Sequence, residues 1–246
     1  MQPFAIQLYS VRDHWTKDPL ATYKALKAAG YDYVELFAVG PGNAAEHKKM
    51  LNDARLAPMC AHIDFESLTS NPEGAIQTAR TLDVQYMVMP WLDVKKRAEW
   101  EAAAERLDAV GFQFRRAGLS LGYHNHDHEF HDFDGRTPFE ILLDTHRDNL
   151  FIELDAYWAE TGGADPFALI EQLGQRCPLL HLKDRPKEGK VPFTEIGSGT
   201  TDWPRMFNTV RHAGVRWLVV EQDESERDSL ESAAISADFM RKNLAG

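Results

Sequence analysis

Eight short, β-prone apolar runs recur along the chain, and their even spacing constrains the fold more than any other feature. The runs are Phe4–Leu8, Tyr33–Phe37, Ala57–Ala61, Tyr86–Met89, Leu119–Tyr123, Leu150–Leu154, Leu179–Leu182 and Trp217–Val220. Their starts lie 29, 24, 29, 33, 31, 29 and 38 residues apart, which leaves room each time for a strand, a crossover helix and two loops. Most intervening segments have helical patterning, such as Leu20–Ala29 closed by Gly30 and Trp100–Arg116 followed by Gly118. An Ala-Gly pair precedes a strand at Ala29-Gly30, Ala117-Gly118 and Ala213-Gly214, and no linker interrupts the series. Eight such units in 246 residues predict a closed (β/α)8 TIM barrel in the α/β class, as one domain over residues 1–246. An open doubly wound sheet of this length would have about five to seven strands.

In such a barrel the catalytic groups sit at the C-terminal ends of the strands and in the loops just beyond. The first four windows present Gln7 and Tyr9, then Glu35, then His62 and Asp64, then Trp91 and Asp93. The last four present His124, Asn125, His126 and Glu129; Asp155 and Trp158; His181, Lys183, Asp184 and Arg185; and Glu221 with Asp223. Any one of these could simply cap a helix or meet solvent. Strands six, seven and eight, however, end with Asp155, with His181 and with Glu221, so a carboxylate, an imidazole and a carboxylate stand at one height. That mixture suits Mn²⁺, Mg²⁺, Co²⁺ or Zn²⁺, with Mn²⁺ favoured where oxygens dominate; a hydrogen-bonded polar network is the alternative.

The window Leu119 to His131 holds four of the ten histidines within eight residues, as part of a site or as a surface tract. Strand parity puts His124 and His126 on one face, while Glu129 arrives by a turn, and the metal-facing member stays open among the three. Glu153 points into the same interior as Asp155, one layer deeper. Lys183 is placed to touch a substrate oxygen, or to pair with Glu153 or Glu221. Glu35, His62, Trp91, Asn125, Trp158 and Arg185 are the substrate-contact candidates at the rim. Trp91, Trp158, Phe37 and Phe65 are either a stacking surface for a sugar ring or plain packing. Gly197-Ser-Gly-Thr-Thr201 lacks the order of a phosphate loop and is expected to turn through Asp202 into a helix Pro204–His212.

The net charge of −11 gives no electrostatic footprint for nucleic acid, so none is expected as a partner. No apolar run approaches the roughly 20 residues of a membrane span, and the N-terminal stretch lacks the features of a secretory leader. Cys60 and Cys177 lie in apolar contexts and are expected as buried free thiols, which fits a soluble protein of the reducing cytoplasm. Phe112-Gln-Phe114 serves either the core or an interface.

The phrases Tyr33-Val-Glu-Leu-Phe, Gly122-Tyr-His-Asn-His-Asp-His-Glu-Phe130, Leu154-Asp-Ala-Tyr-Trp158, Leu180-His-Leu-Lys-Asp184 and Gly197-Ser-Gly together resemble the sugar phosphate isomerase/epimerase group of the xylose-isomerase-like TIM barrels. The resemblance covers essentially the whole chain. It implies one divalent metal held from strands five to eight, which by position gives Asp155, His181 and Glu221. The fourth ligand is a glutamate in the epimerases; here His124 is nearest that strand end and Glu129 is the nearest glutamate. It further implies a small sugar or polyol substrate, with a homodimer left open. A cation across a carbonyl and its neighbouring hydroxyl would favour proton loss from the adjacent carbon. Glu221 or Glu129 would be the base, and His124, His126 or Lys183 would return the proton. Isomerisation or epimerisation of a keto-sugar or sugar phosphate is the leading expectation. Elimination from a 3-keto-glycoside or inosose is second, and an endonuclease-IV-like phosphodiesterase or a non-catalytic sugar-binding barrel follows.

Overall fold

The computed structural model describes residues 2–244, and eight parallel strands close into a barrel in sequence order. They are β1 (Phe4–Gln7), β2 (Tyr33–Leu36), β3 (Ala57–His62), β4 (Tyr86–Met89), β5 (Ser120–His124), β6 (Leu150–Asp155), β7 (Leu179–Leu182) and β8 (Trp217–Val220). Each matches an apolar run of the sequence to within one residue at either end. The chain forms a (β/α)8 TIM barrel, as its spacing requires.

The helices start and stop where the sequence supplies caps. Asp18, Asp64, Asp165 and Asp202 each accept a backbone N–H in the first turn of the helix that follows. The last opens Trp203–Ala213, close to the expected Pro204–His212. Gly30 and Gly214 end their helices at φ of 104° and 88°, a left-handed geometry that glycine adopts without steric cost.

Side chains alternate across each strand. On β6, Leu150, Ile152 and Leu154 face outward into the main core under the helices, while Phe151 joins a smaller core inside the barrel. That inner core holds Ala5, Cys60, Val88, Leu179 and Val219, and edge-to-face pairs Tyr33–Trp217 and Tyr86–Phe151 lie at the strand starts. Toward the strand ends the same inward positions become polar: Gln7, Glu35, His62, His124, Glu153, Asp155 and His181 are all buried. The interior is therefore apolar at its floor and ionisable at the catalytic end.

Cys60 and Cys177 are buried free thiols. Phe114 belongs to the core and Phe112 is exposed. Among the described residues no helix is long and apolar enough to cross a membrane.

Candidate metal centre and active site

The strand register brings the expected groups together. His124 on β5 pairs with Glu153 on β6, Asp155 with His181 on β7, and Glu221 follows β8, its N–H bonded to the Leu182 carbonyl. His124, Asp155, His181 and Glu221 each offer one ligand atom, and the four atoms lie within 4.8 Å of one another. All four residues are buried. Two imidazoles with two carboxylates form a donor set that fits a divalent cation such as Mn²⁺ or Zn²⁺. The His124 ring has a buried Nδ1 that makes no hydrogen bond, 3.3 Å from Glu153 Oε2, and an Nε2 3.8 Å from Asp155 Oδ2. Burial and the neighbouring His181 and His126 hold the His124 imidazole well below its usual range, so it stays in the neutral form a metal ligand requires.

Lys183 occupies the middle of the acidic side. Its Nζ lies 2.8 Å from Asp155 Oδ2, 2.9 Å from Glu221 Oε2 and 3.1 Å from Asp223 Oδ2. Of the two pairings open to it in the sequence, the one with Glu221 forms. Burial would raise the Glu221 carboxyl, but Lys183 and His181 outweigh it and hold the group well below the carboxylate range. Burial and the Glu221 charge push Asp223 up to about 6.

A second layer lies beneath. His181 Nδ1 lies 2.8 Å from Glu221 Oε2 and its Nε2 2.6 Å from Glu35 Oε2, so with its proton on Nε2 and donated to Glu35 the ring would offer Nδ1 to a cation. His62 Nε2 reaches Glu153 at 2.9 Å and Glu35 at 3.2 Å, and Gln7 donates to Glu35 at 2.8 Å. Burial lowers the His62 pKa, yet the Glu35 and Glu153 carboxylates outweigh it and push the ring up to about 10. Glu35 thus orients the metal-facing His181, the usual service of an outer carboxylate to a ligating imidazole.

Several expected site residues have other partners. Glu129 does not join the cluster: both its oxygens are engaged, by the Tyr123 hydroxyl at 2.5 Å and the His126 N–H at 2.8 Å. The short 3₁₀ turn His128–Phe130 carries it back toward Tyr123. Burial pushes its carboxyl up to about 7. Asn125 faces the backbone, accepting from Asp155 N–H at 3.0 Å and donating to Asp155 C=O at 3.2 Å, so it fixes the loop that presents Asp155. Arg185 stacks on Tyr157 and bonds Thr161. Phe65 lies under Arg106.

Above the ligand cluster opens a cavity of about 830 Å³. His62, His124, His126 and Glu221 reach it, as do Trp91, Trp158 and Phe37, whereas Glu35, Asn125, Arg185 and Phe65 do not line it. His126, with its Nδ1 unbonded and its pKa lowered to about 3 mainly by burial, is a neutral imidazole facing this space. Asp223 and Phe193 also line it. The sequence showed Asp223 only as a rim acid, and nothing in its patterning marked Phe193.

Asp184 explains the Gly197-Ser-Gly motif. Its Oδ2 accepts from the N–H groups of Gly197 at 2.9 Å and Gly199 at 3.0 Å and from Trp203 Nε1 at 3.0 Å. Its Oδ1 accepts from Arg185 N–H at 2.9 Å and Thr201 N–H at 3.1 Å. The loop is an anion cradle filled by the chain's own carboxylate. A Cβ at Gly199 would stand 2.2 Å from the Arg185 carbonyl, so no larger residue fits that close approach.

Known proteins resemble this chain in sequence and fold. An inosose dehydratase of Clostridium perfringens is 25% identical over 171 residues, 61% of this chain and 56% of that protein. The matched segment spans about half the length of the curated relatives. A crystal structure of a sugar phosphate isomerase/epimerase from Parabacteroides distasonis superposes with a TM-score of 0.84 at 25% identity, covering 98% of this chain and 93% of that one. The IolI protein, solved with a bound zinc atom, gives a TM-score of 0.76 at 14% identity, covering 100% and 98%. The profile of the xylose isomerase-like TIM barrels matches residues 23–243, and the chain belongs to that family.

Proposed function

We propose that this chain is a divalent-metal-dependent isomerase or epimerase of a keto-sugar or related polyol, working by proton transfer at the carbon beside the carbonyl. The observation that carries this reading is the convergence of His124, Asp155, His181 and Glu221, of which His124 and Glu221 reach the cavity. Mn²⁺ is the first candidate ion and Zn²⁺ the second, since imidazole and carboxylate donors are equal in number. The bound cation would supply Lewis-acid stabilisation of the charge developing on the carbonyl oxygen.

The remaining steps fall to side chains. Glu221 or Glu129 was expected as the base; Glu221, also expected among the ligands, is held strongly acidic by Lys183 and His181, and Glu129 is engaged by Tyr123 and His126. Asp223 beside it lines the cavity and, raised to about 6 by burial and the Glu221 charge, has a proton affinity suited to a base at neutral pH. His126, neutral and on the cavity wall, is placed to exchange a proton with the substrate. Lys183 balances the carboxylates as the negative charge shifts. The buried free thiols support a cytoplasmic location.

Elimination by a dehydratase or lyase is a second reading, favoured by one feature. Symmetrical epimerisation uses carboxylates on both faces of the substrate, and the engagement of Glu129 leaves imidazoles on the β5 side. The inosose dehydratases among the relatives point the same way.

The test is incubation of keto-hexoses, scyllo-inosose and a 3-keto-glucoside in D₂O with the Mn²⁺-loaded protein. Deuterium gained at the carbon beside the carbonyl, with the carbon skeleton and hydroxyls intact, is the expected result. An unsaturated product selects the second reading. Absence of exchange across the panel, with one Mn²⁺ bound per chain, overturns both.

A further inference from the structure

The cavity above the ligand cluster is built unevenly. Its floor is polar, with Gln7, His62, His124, His126, Glu221 and Asp223. Much of the remaining lining is apolar: the stretch Phe37 to Pro41, Ile63, Pro90, Trp91, Pro192 and Phe193 contribute no charged side chain, while Tyr9, Asp64, Ser67, Trp158 and Glu224 add polar groups beside them. Trp91 is 50% exposed and Tyr9 40% exposed, and both face this space. Large aromatic groups left open at a cavity mouth mark a surface that a ligand covers.

Charge points to the same ligand. Among the described residues no lysine or arginine lines the cavity, whose charged lining residues are Asp64, Glu221, Asp223 and Glu224. Lys183 lies below, committed to three carboxylates. Arg12 stacks over the Tyr9 ring and donates to the Tyr9 and Asp223 carbonyls, and Arg185 is held by Tyr157 and Thr161. The backbone cradle Gly197 to Thr201, which could hold a phosphate, is filled by Asp184. A sugar phosphate entering here would bring about two negative charges toward carboxylates with no guanidinium, ammonium or free backbone nest to receive them.

The geometry points to a substrate in two parts: an unphosphorylated sugar or polyol ring on the polar floor, and an uncharged apolar group, of the aryl aglycone kind, against Phe37, Trp91 and Phe193. A second sugar is the poorer occupant of that surface, because against Phe37, Trp91 and Phe193 only the Trp91 indole could pair with its hydroxyls. The volume agrees, since about 830 Å³ lies high in the range of roughly 300–1,000 Å³ that encloses drug-sized ligands. The inference rests on the reading of this site as a sugar-binding metal centre and names the substrate class it takes.

The test is isothermal titration of the Mn²⁺-loaded full chain with methyl and phenyl glycosides of glucose, galactose, mannose and xylose, both anomers, together with cellobiose and glucose 6-phosphate. At least one phenyl glycoside is expected to bind about tenfold or more tighter than its methyl partner, and tighter than cellobiose and glucose 6-phosphate. In Trp91→Ala and Phe37→Ala that advantage should fall to about threefold or less, while affinity for the methyl glycoside changes little. Equal phenyl and methyl affinities, stronger binding of cellobiose or of the phosphate, an advantage that survives both substitutions, or no phenyl glycoside binding at all would each overturn it. Repeating the titration on EDTA-treated protein separates the two readings. A phenyl preference without any deuterium exchange in the earlier assay counts against the proposed reaction alone.

Discussion

Glu129 and His124 sit five residues apart in one histidine-rich window, and their surroundings assign them opposite tasks. Glu129 has both oxygens engaged by Tyr123 and the His126 backbone, whereas His124 has a buried Nδ1 that makes no hydrogen bond and lies 3.3 Å from Glu153 Oε2. Glu129→Gln should therefore keep one metal per chain while lowering stability by about 1–3 kcal/mol, the cost of leaving a buried donor without its acceptor. His124→Ala should lower metal affinity at least about 100-fold, beyond the 10–100-fold typical of outer-shell losses. Elemental analysis with calorimetric metal titration and thermal melts distinguish them. Metal lost from Glu129→Gln and retained in His124→Ala would sink the ligand assignment. The same contrast shows what strand parity can and cannot reach. It placed His124, Glu153 and Asp155 correctly on inward positions, because a strand has a fixed period of two. It said nothing of Glu129, whose direction is set by a 3₁₀ turn beyond the strand.

At the scale of elements, the loop between β7 and the helix Trp203–Ala213 is organised by one carboxylate. Asp184 receives five donors from Arg185, Gly197, Gly199, Thr201 and Trp203, and the segment so anchored supplies Pro192 and Phe193 to the cavity wall. Asp184→Ala leaves those donors competing for water in a tight turn. A loss of about 3–5 kcal/mol is expected, comparable to removing one partner of a buried ionic contact, with faster amide exchange across Gly197 to Thr201. Hydrogen exchange that stays unchanged there would show that the loop holds itself without Asp184. The eight strands were legible because each is a short apolar run at crossover spacing, and the caps at Asp202 and Gly30 because cap chemistry is local. The Asp184 cradle and the Phe193 wall were not, because their partners come from an irregular segment with no period to read. The partners of Asn125 and Arg185 were hidden for a related reason: a polar residue at a strand end can serve backbone or neighbouring side chains as readily as a ligand.

Over the whole molecule, a net charge of −11 and a mouth lined by Asp64, Glu221, Asp223 and Glu224 create a field that draws cations and repels polyanions. Duplex DNA should accordingly show no salt-sensitive retention on the protein between about 50 and 200 mM salt, the window in which phosphate contacts reveal themselves. Retention that falls steeply with salt would reopen the phosphodiesterase reading. A divalent ion meets the opposite situation, because the acids around Lys183 outnumber it and the donors of four strands await a common partner. An ion that binds only the folded barrel stabilises it by mass action, about 2.7 kcal/mol at a free concentration 100 times Kd. For a chain of this size each kcal/mol moves Tm by about 2–4 °C, so Mn²⁺ added to EDTA-treated protein should raise Tm by about 5–10 °C. The rise should vanish in His181→Ala, which removes a donor shared with Glu35 and Glu221. A rise of equal size in that variant would place the ion elsewhere, on the exposed His131 or another surface group, and would separate metal binding from the barrel mouth.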